Sequence, residues 1–153
     1  MRLALPLAAA CLIAAPAVAQ DDFSGNLKAR QGQFRILALN LGILGGMAKG
    51  EVEYNAETAQ MAADSIHAVT MIKQSPMTLW PEGTDEMAID GTRALPAIWE
   101  NWDDFASKWS ALGEAATALQ SAAANGQEAI GPALGPVGNA CKACHDDYRA
   151  SQN

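Results

Sequence analysis

Two cysteines and a histidine lie close together as Cys141-Lys142-Ala143-Cys144-His145. Thiols form covalent bonds readily, and thiols and imidazoles both bind metal ions. Two cysteines at this spacing serve as a structural disulfide, as a redox-active dithiol, or as the attachment point of a haem. The histidine directly after the second cysteine favours the third use, because Cys-x-x-Cys-His is the attachment signature of c-type haem. The motif therefore predicts one covalently bound haem c.

The spacing of the motif suits a macrocycle that lies against a helix. Each thiol adds to one vinyl group, so the two sulfur atoms must face neighbouring edges of the same group. Residues three apart on a helix share a face, which places Cys141 and Cys144 side by side. His145 follows directly and is the candidate proximal ligand of the iron, a common role of histidine. A redox dithiol would instead favour a βαβ context, which this sequence lacks.

The first 19 residues have the layout of a secretory signal peptide. Arg2 supplies a positive charge, residues 3–15 are almost wholly apolar, and residues 17–19 are the small-x-small sequence Ala-Val-Ala. The apolar run is too short for a membrane anchor and is interrupted by proline. We predict cleavage after Ala19, which leaves residues 20–153 as one exported domain. No later segment is apolar enough to insert into a bilayer.

The predicted mature chain is acidic. Removing residues 1–19 also removes Arg2, so the formal net charge at pH 7 changes from −7 to −8. Such a charge would repel phosphate groups. We therefore expect no nucleic-acid partner.

Two helices are predicted in the first half of the mature chain, at about residues 26–49 and 56–73, the second with Asn55 as its N-cap. The apolar residues of the first helix form two stripes, which are Phe34, Leu37, Leu41 and Leu44 and, on another side, Ile36, Leu39 and Ile43. A helix that is apolar on two sides is buried on two sides. We therefore expect one stripe to face the core and the other to face a second subunit in a homodimer.

A third helix is predicted from Ile98 to Ala123, where apolar residues alternate at spacings of four and three. Pro96 lies just before this segment and Gly126 just after it, where start and stop signals are expected. Trp102 and Trp109 lie on the apolar seam, which predicts that both pack in the core.

A fourth helix carries the haem motif, with an apolar seam from residue 130 to residue 148. Pro132 and Pro136 are expected to kink this helix or delay its start. Residues 75–95 have no clear period and read as a long crossover loop. Four helices without strands predict an all-α fold, an antiparallel four-helix bundle that encloses one covalently attached haem.

The chain resembles the cytochrome c′ family over essentially the whole mature sequence. The most specific match is Val137-Gly138 followed by Cys-Lys-Ala-Cys-His-Asp-Asp-Tyr-Arg at 141–149. Further matches are Arg30-Gln31, Lys49-Gly50, Tyr54-Asn55-Ala56, Gly83-Thr84 and Pro96-x-Ile98-Trp99. The resemblance implies a periplasmic protein, usually a homodimer, whose resting iron is five-coordinate and binds nitric oxide and often carbon monoxide.

The resemblance also implies roles for individual residues. Arg30 and Gln31 match the pair that lies near the haem propionates, although Arg30 also reads as an ordinary solvated helix charge. Arg149 matches the arginine on the proximal side. Phe34 stands where the family places its distal apolar residue, often a leucine. From its position before the third helix, Arg93 is a further candidate for the haem edge.

The coordination of the iron separates the candidate functions. Met47, the only methionine of the first helix, lies three to four turns beyond Phe34 and so is too far away to be a sixth ligand. His67 flanks the apolar stripe of its helix and is expected at the surface or hydrogen-bonded. We therefore predict a non-enzymatic protein that binds diatomic gases and sequesters or buffers nitric oxide. The alternative is a periplasmic electron carrier with redox partner proteins, and a peroxidase is disfavoured because no distal acid–base pair is visible.

Overall fold

The structure is a computed structural model that describes residues 22–151. Five α-helices follow one another in this part of the chain. They are α1 (Ser24–Ala48), α2 (Ala56–Thr70), α3 (Ala97–Glu100), α4 (Trp102–Ala122) and α5 (Gln127–Tyr148). Apart from one isolated bridge between Ala94 and Arg149, these residues contain no β-structure. The predicted all-α class is therefore confirmed. The predicted signal peptide and its cleavage site lie outside the described residues.

The four long helices form the predicted antiparallel bundle. α1 packs against α2 and α5, and α4 packs against the same two helices, so that each long helix has two neighbours. Short connections join α1 to α2 and α4 to α5, whereas residues 71–96 cross over between α2 and α3. None of the helices in residues 22–151 is long and apolar enough to cross a membrane.

The second helix begins as predicted and ends earlier than predicted. The side chain of Asn55 accepts a hydrogen bond of 2.8 Å from the backbone N–H of Thr58, which is the geometry of an N-cap. α2 ends at Thr70, whose hydroxyl donates to the carbonyl oxygen of His67 at 2.7 Å. The predicted end near residue 73 is therefore a few residues too late.

The third predicted helix is divided in two at Asn101. The backbone of Asn101 has φ −130° and ψ 47°, which ends α3 and starts α4. Its side-chain amide donates to the carbonyl oxygen of Ala97 at 3.2 Å, an alternative to helical hydrogen bonding that asparagine offers readily. The apolar seam nevertheless continues, because Ile98 before the break and Phe105 after it join the same buried cluster. Spacing alone predicted one helix because the break leaves that seam intact.

The helix that carries the haem motif begins at Gln127. Of the two effects expected of its prolines, the delayed start is therefore wrong and the kink stays a prediction. Gly126 has a φ of +108°, a conformation that glycine adopts easily, and it turns the chain into the helix. Pro132 and Pro136 lie inside α5, where each removes one N–H donor. Both prolines are exposed, so water can hydrate the carbonyl groups that lose their helical partners.

The interior consists of two clusters of buried side chains. The bundle core joins α1, α2, α4 and α5 and contains Leu37, Leu44, Met47, Ile66, Leu112, Leu119, Ile130 and Val137, with smaller residues between them. The aromatic cluster lies against α3 and the crossover segment and consists of Trp80, Ile98, Phe105 and Tyr148. Cys141 packs against the bundle core and Cys144 against the aromatic cluster, so the motif lies where the two meet.

Candidate functional site

A cavity of about 560 Å³ lies between the bundle core and the aromatic cluster. This volume falls in the range of small-molecule and cofactor sites. α1, α4, α5 and the crossover segment supply its walls, and most of the lining side chains are apolar. All eight residues predicted from the sequence line it: Arg30, Gln31, Phe34, Arg93, Cys141, Cys144, His145 and Arg149.

The two cysteines are separate, half-buried thiols on α5. The disulfide considered from the sequence is not formed. Burial raises the pKa of Cys141 and raises that of Cys144 to about 11. This is the opposite of the lowered thiol pKa that activates the attacking cysteine of a redox pair. Two neutral thiols facing an apolar cavity instead suit covalent attachment of a bound group.

His145 follows Cys144 on α5 and lines the same cavity. Partial burial, and then the positive charge of Arg93, lower the pKa of His145. The neutral imidazole is therefore favoured, which is the form that binds a metal ion. Arg149, one turn further on, places its Nη1 atom 3.4 Å from Nδ1 of His145.

Arg30 is buried, with 2% of its surface exposed, so its interpretation as a solvated helix charge is wrong. Its Nη1 donates to Oγ1 of Thr84 at 2.9 Å, and its Nη2 donates to the carbonyl oxygen of Thr84 at 3.1 Å. The guanidinium also lies over the ring of Trp80. Burial lowers the pKa of Arg30, and no ion pair among residues 22–151 includes it. Arg30 is therefore a preformed cationic group in the cavity wall.

The neighbouring Gln31 links α1 to the crossover segment, residues 71–96, by a hydrogen bond. Its side-chain amide donates to the carbonyl oxygen of Gly91 at 2.7 Å. Gly91 has a φ of +81°, which places it in the region that favours glycine. Two residues later, Arg93 contacts the carbonyl oxygen of Ala150 at 3.5 Å. The crossover segment thus brings Arg93 from a distant part of the sequence to the cavity.

Phe34 forms part of an apolar wall contributed by α1 and α4. Its ring meets that of Trp109 edge to face, with centroids 6.0 Å apart. The indole N–H of Trp109 donates to the carbonyl oxygen of Thr70 at 3.0 Å, which fixes the ring. Trp109, predicted to pack in the core, does so only partly, because its other surface lines the cavity. The rest of this wall is Leu37, Ala38, Leu41 and Leu112.

Among the described residues, those that line the cavity include one imidazole and no thioether. Met47 is buried in the bundle core, and His67 is half-buried on α2, so both lie away from the cavity, as the sequence predicted. Lys108 does line it, but its Nζ is 2.9 Å from a carboxylate oxygen of Asp147 and 3.5 Å from one of Asp104. The hydrogen bond to Asp147 raises the pKa of Lys108, and an ammonium group has no free electron pair for a metal.

Sequence reasoning missed several residues of the site. Trp80 and Thr84 lie in the crossover segment, where no periodicity marks a residue as buried. Gly83-Thr84 is one of the matches to the family, but the match assigned no role to Thr84. In the structure, Thr84 accepts two hydrogen bonds from Arg30. Lys108 follows Asp104 at the spacing of a helical ion pair, and this signal was available from the sequence.

Comparison with known proteins identifies the family. The family model described as Cytochrome C' matches residues 26–149. The cytochrome c' of Cereibacter sphaeroides is 41% identical over 147 residues, which cover 95% of this chain and 97% of the relative. The solved structure of cytochrome c' from Rhodobacter Spheriodes has a TM-score of 0.79 and 40% identity, covering 86% of this chain and 100% of that one. A nitric oxide complex of a cytochrome c prime mutant from Alcaligenes xylosoxidans has a TM-score of 0.71 and 28% identity, covering 84% of this chain and 96% of that one. The chain therefore belongs to the cytochrome c′ family of haem proteins.

Proposed function

We propose that this protein binds nitric oxide, and other diatomic gases, at a five-coordinate haem c in the periplasm, where it sequesters or buffers nitric oxide. Thioethers from Cys141 and Cys144 would hold the haem, and His145 would be the proximal ligand. One observation carries the proposal: apart from the two thiols that would form the thioethers and Lys108, which is held as an ammonium group by ion pairs, the described residues of the cavity wall offer no second iron ligand. The haem, when bound, supplies an iron atom with a free coordination position.

The shape and charge of the cavity fit a haem. A porphyrin presents apolar faces and carries two carboxylates at one edge. The apolar wall around Phe34 and Leu37 suits those faces. Arg30 and Arg93 offer guanidinium groups to the carboxylates, and charge-assisted hydrogen bonds of this kind are strong. Both thiols of the motif open onto the same space.

The apolar wall that contains Phe34 would determine what else enters the site. Phe34 is anchored against Trp109, and an apolar wall gives water few hydrogen-bond partners. This favours an iron without bound water at rest and restricts the room for a gas ligand. On the other side of the imidazole, Arg149 is placed to interact with His145 or with a ligand that replaces it.

A solved relative supports gas binding. The solved structure from Alcaligenes xylosoxidans is a nitric oxide complex of a cytochrome c prime mutant. The similarity to this chain extends over most of both chains, so the same kind of ligand is a reasonable expectation here. A six-coordinate, low-spin electron carrier would require a second strong ligand, which the described cavity residues do not offer. Electron transfer by a five-coordinate haem stays the alternative function.

Export and dimerisation complete the proposal. The signal peptide would be removed after Ala19, and N-terminal sequencing of protein from a periplasmic fraction would test this. The outer stripe of α1 exposes Ile36 and Leu39, with 47% and 65% of their surfaces accessible. Exposed apolar side chains of this kind commonly mark an interface, which supports a homodimer. Ile43, also assigned to this stripe, packs against the bundle core instead.

Absorption and resonance Raman spectra of the ferrous protein test gas binding. We expect a five-coordinate, high-spin spectrum that changes when nitric oxide is added. The variant Phe34→Met, which offers a thioether, is a positive control for the six-coordinate, low-spin signature. A six-coordinate, low-spin wild type that does not respond to nitric oxide would overturn the proposal and favour the electron carrier.

Acid–acetone extraction tests the covalent attachment separately. Wild-type protein should keep its haem in the precipitated protein, whereas Cys141→Ser and Cys144→Ser should hold it weakly or by one thioether. Ala143→Ser is the matched control, because it makes a small substitution inside the motif without removing a thiol. Release of haem from the wild type into the organic phase would show that the attachment is not covalent.

A further inference from the structure

Packed aromatic rings connect the cavity to the phenol of Tyr148. Trp80 and Phe105 line the cavity. The ring of Phe105 meets that of Trp80 at a centroid distance of 4.9 Å and that of Tyr148 at 5.4 Å, both edge to face. Tyr148 also follows Cys144 by four residues, so both lie on one face of α5, and Cys144 packs against the same cluster. Two short routes therefore lead from the space proposed for the haem to this phenol.

The hydroxyl of Tyr148 has a carboxylate partner, which no other aromatic side chain in residues 22–151 has. It donates to Oδ2 of Asp104 at 2.6 Å. Nζ of Lys108 lies 3.5 Å from the same oxygen and 2.9 Å from a carboxylate oxygen of Asp147, so Asp104 is ionised and able to accept a proton. The two carboxylates outnumber the one ammonium group, and this negative charge favours the loss of an electron from the ring.

The other aromatic donors in the described residues lack such an acceptor. The indole N–H groups of Trp80, Trp99 and Trp109 all donate to neutral amide or backbone carbonyl oxygens. The hydroxyl of Tyr54 likewise donates to a backbone carbonyl oxygen. These oxygens are far less basic than a carboxylate. The guanidinium of Arg30 over the Trp80 ring further opposes the loss of an electron there.

We propose, on the basis of the haem proposed for this cavity, that Tyr148 returns an electron to the haem after hydrogen peroxide has oxidised it. In the overall balance, peroxide takes two electrons from the ferric haem and two protons from the solvent and becomes two water molecules. Tyr148 gives back one electron, and its phenolic proton passes to Asp104, which leaves a neutral tyrosyl radical and a carboxylic acid. A small one-electron reductant such as ascorbate supplies the other electron to the haem. It also reduces the radical, while Asp104 returns the proton.

The burial of the phenol suits this protective role. Only 5% of the surface of Tyr148 is exposed, which shields a radical there from coupling with another protein molecule. Phe105, the ring between Tyr148 and the cavity, is buried as well. The oxidising equivalent thus moves through packed side chains, away from the porphyrin that it would otherwise damage.

Freeze-quench EPR spectroscopy tests the proposal on the haem-loaded, ferric protein mixed with an equal amount of hydrogen peroxide. We expect the signal of a neutral tyrosyl radical, which becomes narrower when the protein contains ring-deuterated tyrosine. A tryptophan or porphyrin radical does not respond to that label. Tyr148→Phe should abolish the signal while keeping the packed ring. Asp104→Asn should lower its yield several-fold, because the amide still accepts the hydrogen bond but does not take up the proton.

Bleaching of the haem by excess peroxide provides a second measurement. The absorbance of the haem should fall several-fold faster in Tyr148→Phe than in the wild type, because the oxidising equivalents stay on the porphyrin. Tyr54→Phe is the matched control, since the chain has only two tyrosines and Tyr54 packs against the bundle core instead. It should keep both the radical signal and the bleaching rate of the wild type.

A radical signal that survives in Tyr148→Phe, or that Tyr54→Phe removes equally, would overturn the inference. A full radical yield in Asp104→Asn would overturn the part assigned to that carboxylate. The pyridine haemochrome assay and the resting spectrum of the same samples separate the two proposals. Loaded, five-coordinate protein without the radical contradicts only this inference, whereas missing haem or a six-coordinate, low-spin resting spectrum contradicts the proposed function.

Discussion

The guanidinium carbon of Arg30 lies 4.6 Å from the centre of the Trp80 ring, so a helix residue and a loop residue together close one corner of the cavity. Such cation–π contacts contribute about 0.5–2 kcal/mol, with the larger values where the cation is desolvated. The Trp80 ring is itself fixed, because its N–H donates to the side chain of Gln74 at 2.7 Å. The crossover segment is therefore held to α1 by its one aromatic residue, which is buried.

Trp80→Ala should lower the free energy of unfolding by about 3–5 kcal/mol, the usual cost of removing a buried aromatic side chain. The substitution leaves a cavity beneath Arg30 and removes the contacts of the ring with Trp99 and Phe105. Denaturant unfolding of haem-loaded samples measures the loss. Met77→Ala, in the same segment but 93% exposed, should stay within about 0.5 kcal/mol of the wild type. Equal stabilities of the two variants would contradict the structural role of Trp80.

Phe34→Ala should speed the binding of carbon monoxide by about tenfold, which corresponds to a barrier lower by about 1.4 kcal/mol. The reason is that the Phe34 ring, packed against Trp109, occupies space in the apolar wall of the cavity, which we expect to face the free side of the haem. Flash photolysis of the ferrous protein gives the rate. Leu39→Ala lies on the same helix outside the cavity and serves as the control. An unchanged rate in Phe34→Ala would show that the ring does not limit entry.

Tyr148→Phe should change how stability depends on alkaline pH. Burial, and then the hydrogen bond that its hydroxyl donates to Asp104 at 2.6 Å, raise the pKa of Tyr148 to about 12. An unfolded chain loses this proton near pH 10. The stabilisation by the neutral phenol is therefore complete below about pH 10 and is lost as the pH rises towards about 12.

Urea midpoints of the wild type and Tyr148→Phe should consequently differ at about pH 8 and converge as the pH rises through this window. Asp104→Asn keeps an acceptor for the hydroxyl and removes the carboxylate charge. It should shrink the alkaline loss only in part, because burial is the larger cause of the raised pKa. A difference between wild type and Tyr148→Phe that stays constant with pH would disprove the linkage.

Leu39→Glu should weaken the proposed homodimer by about tenfold or more. Leu39 is 65% exposed on the outer side of α1, and a carboxylate there would have to be desolvated in the interface. Sedimentation velocity at micromolar concentration measures the effect. Ala118→Glu, an exposed substitution on α4, is the control and should leave the dimer intact. A monomeric wild type would exclude the dimer, and Ile43 is a poor probe because it also packs in the core.

The parts of the fold that local spacing determines could be predicted from the sequence. The cap at Asn55 depends on residues within one turn, and the apolar seam of α5 repeats along a single helix. The order Cys-x-x-Cys-His likewise needs no tertiary information. These features are local, so their signal survives in the sequence without the rest of the molecule.

The remaining features depend on residues that are distant in the sequence. Trp80 is buried because Phe105 and Trp99 pack on it, and no pattern near Trp80 reports that contact. The break at Asn101 leaves the apolar seam intact, so periodicity does not detect it. Arg30 is predicted as a solvated charge when only its own helix is considered. In the fold it is buried because Thr84, in the crossover segment, accepts its hydrogen bonds.

The backbone bridge between Ala94 and Arg149 also has a consequence for the order in which the exported chain would fold. A chain folded only as far as α4 has the wall that contains Phe34 and the crossover segment, but the thiols, the imidazole and the residue that pairs with Ala94 are not yet in place. These arrive together on α5 and the residues directly after it. Contacts between residues so far apart in the sequence form more slowly than local helices, because the entropy of closing the long loop opposes them. The cavity would thus stay open to an incoming haem until α5 and the residues directly after it are in place. That one segment would both attach the haem and complete the cavity wall.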